Sequence, residues 1–162
     1  MRSDEDIRGA MERHADTVRR LCVVHLKSYA DTEDVFQTVF VRYARRDEPF
    51  ESPEHERAWF VRVTINACRD LLRSPFRRRT VPLDEVLEVV DPSSEGGSEA
   101  REVLAAVLAL PQKYRDVVYL HYYEGYSAPE IARLLGRNVN TVYTNLTRAR
   151  ERLRDALGGE LG

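Results

Sequence analysis

Cysteine is almost missing from this chain, with two among 162 residues, and Cys22 and Cys68 both fall at apolar positions of helical patterns. A disulfide framework is therefore excluded, and both are expected to be buried thiols. Long apolar runs are missing too: nothing approaches the roughly 20 residues that cross a bilayer, and the opening MRSDEDIRGAM has no secretory apolar core. Membrane insertion is excluded on this pattern, and the cytoplasm is the expected place of work. The histidines His14, His25, His55 and His121 are scattered, with no H-E-x-x-H and no i, i+4 pair. No metal and no other cofactor is expected, and metal-dependent hydrolase chemistry has no ligand set. Nor is there a large net charge, since 25 basic side chains face 27 acidic ones.

Two-residue alternation is also absent, so strands have no support. The short apolar bits at 81–83 and 86–90 lie in an acidic, Ser/Gly-rich segment ending at SSEGGSE, which reads as a linker. What remains is helical. Ser3 followed by Asp4, Glu5 and Asp6 starts one helix, and Ile7, Ala10, Met11, His14, Val18, Leu21, Cys22 and Leu26 continue it. A second is expected from Asp31, with Val35, Val39 and Phe40 inward and Glu33, Asp34, Gln37, Thr38 and Arg42 outward. A third starts at Ser52 with Pro53 just inside, and Ala58, Val61, Ile65, Cys68 and Leu72 form its stripe. Its polar side carries Arg62, Asn66, Arg69 and Arg73, a basic ladder with an amide that suits a phosphate backbone. Trp59 either anchors the core or stacks on an unpaired base.

The charge is unevenly placed. Residues 57–80 hold seven Arg against one Asp, residues 111–157 eight Lys or Arg against five acids, and residues 81–103 seven acids against one Arg. Two phosphate-facing surfaces joined by an acidic connector follow, a connector either simply solvated or covering a basic face when nucleic acid is absent. Helices are expected at about 99–110 and from Pro111. The next stretch, residues 127–157, reads as a helix-turn-helix. Ser127 and Glu130 have capping-box spacing, Gly136 suits a left-handed helix end, and Asn138 suits the next N-cap. Val139, Val142, Leu146, Ala149, Leu153 and Leu157 form one stripe, which turns Asn140, Thr144, Thr147 and Arg148 outward with Thr141 and Tyr143 at the flanks. Amide, guanidinium and hydroxyl groups at such positions match base edges and phosphates in a major groove.

With these residues in view, the chain resembles the sigma-70 family of bacterial RNA polymerase sigma factors, in its compact two-domain extracytoplasmic-function (ECF) form, over nearly its whole length. Asp31-x-Glu33-Asp34-Val35-x-Gln37-x-Val39-Phe40 is similar to the D-x-E-D-hydrophobic-x-Q motif of region 2. Ala58-Trp59-Phe60, Asn66 and Asp70-Leu71-Leu72-Arg73 are similar to its A-W-L…N…D-x-L-R motif. Leu110-Pro111-x-x-Tyr114-Arg115, Glu124-Gly125-Tyr126-Ser127, Glu130-Ile131-Ala132 and Thr141 to Arg150 are similar to region 4. Tyr143 and Asn145 stand where many members carry basic residues.

The resemblance implies an all-α protein of two small domains, residues 1–79 as region 2 and 99–158 as region 4, with 80–98 as the acidic linker. It implies a transcription initiation factor and not an enzyme. Implied partners are the RNA polymerase core, met through the largest-subunit clamp helices and the flap, promoter DNA, and in many members an inhibitory anti-sigma factor. Asp31, Glu33, Asp34, Gln37 and Phe40 would meet the core. Trp59, Arg62, Asn66, Arg69 and Arg73 would take the minus-10 element, and Asn140, Thr141, Tyr143, Thr144, Thr147 and Arg148 the minus-35 element. Against it stand a free-standing helix-turn-helix regulator, which leaves the DTEDVFQTVF helix unexplained, and a protein-interaction adaptor.

Overall fold

The computed structural model of the protein describes residues 1–74 and 98–158. The run Arg77 to Arg79 and the acidic residues Asp84, Glu85, Glu88 and Asp91 lie outside them. The chain divides into two compact units, Met1–Val90 and Asp91–Gly162, and all regular structure among the described residues is helical.

The first unit packs α1 (Asp4–Leu26), α2 (Tyr29–Arg45) and α3 (Pro53–Leu72) against one another. Each begins with a serine whose hydroxyl oxygen accepts an orphan backbone N–H: Ser3 from Asp6, Ser28 from Asp31 and Ser52 from His55. A cap of this kind contributes about 1 kcal/mol. The second of them corrects the expected start of α2, which lies at Tyr29 and not at Asp31. Lys27 causes the difference, because it takes a left-handed φ of 54° and its N–H closes α1 on the Val23 carbonyl. One residue then separates that turn from the α2 helix, and it is the Ser28 cap.

The core of this unit joins Val18, Cys22 and Leu26 of α1 to Val35, Val39, Phe40 and Tyr43 of α2 and to Trp59, Phe60 and Cys68 of α3. Both thiols are buried and free, as expected. Met11 is instead exposed, since it sits one position beyond Ala10 at the edge of the stripe. His14 is helix-face packing with a polar rim. Its ring stacks on Phe60 with centroids 4.3 Å apart, and its Nε2 lies 2.9 Å from Glu56, which Arg13 also grips at 2.7 Å.

Burial is the larger influence on His14 and holds its imidazole below the ordinary value of 6.5, although Glu56 pulls upward. Burial raises the Glu56 carboxyl, but the hydrogen bonds from Arg13 and His14 outweigh it and leave the group below 4.5. A base with a lowered folded value binds fewer protons than in the unfolded chain. Its contribution is therefore present above 6.5 and lost as pH falls through the folded value, and the Glu56 contribution is lost likewise below 4.5. Acidification is expected to lower the urea-unfolding midpoint in two stages, of which His14→Gln removes the upper one. A midpoint profile that His14→Gln leaves unchanged would place that stage on another group.

The second unit contains α4 (Ser98–Leu108), α5 (Gln112–Val118), α6 (Ala128–Leu135) and α7 (Val139–Ala156). α4 ends two residues sooner than expected, and α5 passes into a π-helical turn, Tyr119–Tyr123, that no spacing in the sequence announced. There the Glu124 N–H donates to the Tyr119 carbonyl at 3.2 Å, while the buried Tyr119 hydroxyl donates to Glu124 at 2.9 Å. Around α7 gather Val107 and Leu108, Val117 and Leu120, and Ile131 and Leu135, all nearly inaccessible.

Candidate nucleic-acid interfaces

The pair α6–α7 forms as its caps dictate. Ser127 and Glu130 make both bonds of the capping box, at 3.3 and 2.9 Å. Gly136 holds φ at 64°, a conformation that costs an L side chain about 1–2 kcal/mol, and Asn138 caps α7 by accepting from the Asn140 N–H at 2.8 Å. A longer-range tie fixes this turn. Arg137 reaches back to α5, donating to the Lys113 carbonyl at 3.2 Å and to Asp116, whose side chain is fully buried, at 3.3 Å. Sequence periodicity carries no signal for that pair, because its members lie 21 residues apart.

Val142, Leu146, Ala149 and Leu153 bury one side of α7, joined by Asn145, which the apolar pattern had not included. The opposite side leaves Asn140, Thr141, Tyr143, Thr144, Thr147 and Arg148 all exposed. Tyr143, Thr144, Thr147, Arg148 and Glu151 line one shallow cleft. Beside it lies a cationic group that sequence reasoning missed. The Lys113 ammonium sits 5.1 Å and the Arg152 guanidinium 4.9 Å from the Tyr114 ring centre. Burial pushes the Tyr114 phenol up, but the Arg148 guanidinium facing its hydroxyl, with Lys113 and Arg152 near, outweighs burial and holds it below its ordinary value. Among the described residues no carboxylate pairs with any of the three cations. An anionic backbone is the chemistry such a group accepts.

On α3 the expected ladder is present in part. Arg62, Asn66 and Arg73 are exposed, Arg69 is half-buried, and Trp59 is buried at 7% exposure. Trp59 is thus a core anchor, edge-on to Phe60 at 5.0 Å and to Phe50 at 5.8 Å. Residues 46–52 connect α2 to α3, the helix that carries this ladder. On α2, Glu33, Asp34 and Gln37 are exposed, whereas Asp31 and Phe40 are 2% and 5% exposed. Those two are turned into the fold instead of outward: Asp31 lies in the capped first turn, and Phe40 packs between Phe36 and Phe60. Phe36 is covered by the Arg19 guanidinium, 4.3 Å from its ring centre.

A third surface, apolar, lies on the second unit. Val103, Val107, Val118, Tyr122, Tyr123 and Leu153 line a groove edged by Arg150 and Arg154, with Tyr122 55% exposed. Among the described residues no cluster of His, Cys, Asp or Glu is arranged to hold a metal, and no helix is long and apolar enough to cross a membrane.

Comparison with known proteins identifies the family of both units. Residues 10–80 match the model for sigma-70 region 2, and residues 100–153 match that for sigma-70 region 4. The ECF RNA polymerase sigma factor SigM of Mycobacterium tuberculosis is 32% identical over 146 residues, covering 90% of this chain and 74% of SigM. The RNA polymerase sigma factor SigV of Bacillus subtilis is 28% identical over 147 residues, covering 91% and 88%. Among solved structures, CnrH in complex with the cytosolic domain of CnrY is similar with a TM-score of 0.67 at 27% identity, over 98% of this chain and 91% of that one. The Bartonella quintana sigma factor RpoE, bound to the anti-sigma factor NepR, shares the fold with a TM-score of 0.73 at 17% identity, over 96% and 99%. Both motif sets, in order and each on its own helical unit, place this chain in the extracytoplasmic-function (ECF) family of RNA polymerase sigma factors, non-enzymatic factors that direct promoter-specific initiation of transcription.

Proposed function

We propose that the two units divide promoter reading, residues 1–79 acting on the minus-10 element and residues 99–158 on the minus-35 element, with 80–98 as connector. The observation that carries this reading is α7: four apolar residues sealed on one side and an unbroken exposed row of amide, hydroxyl and aromatic groups on the other. Asn140, Thr141, Tyr143 and Thr144 lie in its first turns, the part that enters a major groove in this motif. The Thr144 hydroxyl donates to the Asn140 carbonyl at 3.0 Å, which leaves its oxygen as an acceptor and its methyl for a thymine. In the first unit, Arg62, Asn66, Arg69 and Arg73 would hold the single strand once base pairs open, an amide suiting a Watson–Crick edge. Glu33, Asp34 and Gln37 offer the clamp helices of the polymerase a polar face.

The apolar groove with Tyr122 and Tyr123 suits an apolar helix of the polymerase flap. An anti-sigma factor, as NepR is to the RpoE of Bartonella quintana, would compete for such surfaces. The work belongs in the cytoplasm, where polymerase and promoters meet. Transcription from a randomised promoter library by core polymerase, with and without the chain, tests the whole reading. Protein-dependent initiation at a shared two-part motif is expected, and DNA binding without polymerase-dependent initiation would favour a free-standing regulator.

Within α7 the roles separate. Asn140→Ala is expected to relax preference at one minus-35 position by about 1 to 3 kcal/mol. Arg148→Ala is expected to weaken all sequences alike and to reduce the salt slope by about one, since Arg148 sits with Lys113 and Arg152 around Tyr114. Salt titrations of holoenzyme binding on matched and mismatched promoters check both. Preference lost at one position in Arg148→Ala would make it a base reader.

A further inference from the structure

We propose that Arg2 is a positioning residue for promoter opening, strapping the loop of residues 46–52 and so fixing the entry to α3, the helix that would hold the minus-10 strand. The proposal rests on the reading of the first unit given above. Arg2 lies outside the residues that match sigma-70 region 2, which begin at residue 10. Its backbone N–H donates to the Ala44 carbonyl at the end of α2, at 2.8 Å. Its guanidinium donates to the Glu48 carbonyl within the loop at 2.9 Å and lies 4.4 Å from the Tyr43 ring centre and 5.3 Å from that of Phe50.

Phe50 is the loop's one apolar anchor. Its ring is parallel to Tyr43 and edge-on to Trp59 and His55, and a second guanidinium, Arg46, lies 4.5 Å from its centre. The far end of the loop is held by the Glu51 N–H, which donates to His55 Nδ1 at 3.0 Å. Between these anchors Asp47, Glu48 and Pro49 are exposed, and the Glu48 carbonyl accepts the bond from the Arg2 guanidinium. A planar guanidinium can stack on two rings and donate sideways at once, and an ammonium cannot. Arg2 thus reaches the loop's middle from outside α2 and α3, where Arg46 also meets the Glu48 carboxylate at 3.8 Å and the Met1 amino group meets Asp47 at 2.6 Å.

The test uses holoenzyme assembled from core polymerase and the full chain carrying Arg2→Ala, Arg2→Lys or Asn66→Ala. Opening is read by permanganate reactivity of unpaired thymines, and preference by promoters randomised only at minus-10. Arg2→Ala is expected to reduce opening about tenfold, the scale of one charged hydrogen bond and its ring contacts, and to broaden minus-10 preference with minus-35 preference intact. Arg2→Lys should restore little of either. Unchanged opening and preference in Arg2→Ala, with both altered in Asn66→Ala, would overturn the strap and keep the reading of the first unit. No effect of Asn66→Ala would overturn that reading and the strap with it. Opening recovered on cooling, with preference never altered, would make Arg2 a stabilising residue only and overturn the proposal.

Discussion

Arg137→Ala is expected to destabilise the second unit by about 3 to 5 kcal/mol, because it strips the cation from a carboxylate buried in the protein. Asp116 is 0% exposed, and Arg137 meets it at 3.3 Å while donating a second bond to the Lys113 carbonyl. The loss is a large share of the total stability of about 5 to 15 kcal/mol for a small domain, and the proposed minus-35 reading is expected to weaken with it. Arg137→Lys should recover only part, since an ammonium lacks the fork that serves the carboxylate and the carbonyl together. Removing both charges in Arg137→Met with Asp116→Leu should cost less than Arg137→Ala alone. Denaturant unfolding followed by circular dichroism ranks the four proteins. An Arg137→Ala protein within 1 kcal/mol of the wild type, an interval of about fivefold in equilibrium constant, would show that the pair does not hold the turn.

Phe60→Ala is expected to have a comparable effect on the first unit, again about 3 to 5 kcal/mol. Phe60 is 0% exposed, and its ring meets His14 of α1, Phe40 and Tyr43 of α2 and Trp59 of its own helix. Truncation removes a side chain that touches all three helices and leaves a void that rigid rings fill poorly. Phe60→Leu should retain more than half of the stability. The functional readout is promoter opening, for which α3 is the proposed strand-holding helix. Unfolding midpoints for both variants decide the matter, and a Phe60→Ala midpoint equal to that of wild type would move the centre of this core elsewhere.

Local rules carried the sequence reading a long way. The stripe of α7, the Ser127–Glu130 box, the Gly136 turn and the Ser52–Pro53 start all appear where the spacing puts them, because each depends on neighbours within one helical turn. What was not legible depends on partners far along the chain or on unusual backbone. Lys27 ends α1 in a left-handed conformation usually left to glycine or asparagine, so the junction with α2 was misplaced. Tyr114 gathers Arg148 and Arg152 across more than thirty positions, and Arg2 meets Phe50 across 48. Asp31 and Phe40 show the opposite limit. A family motif marks which positions matter, but burial decides which of them are available to touch anything, and here Glu33, Asp34 and Gln37 are.

The π-helical turn at Tyr119–Tyr123 has an evolutionary consequence. Such a turn accommodates one residue more than an α-helical turn. Gaining or losing a single codon there would rotate everything that follows by about 100° about the helix axis, and with it the direction from which the reading helix approaches its operator. The buried Tyr119–Glu124 bond locks the inserted residue in place.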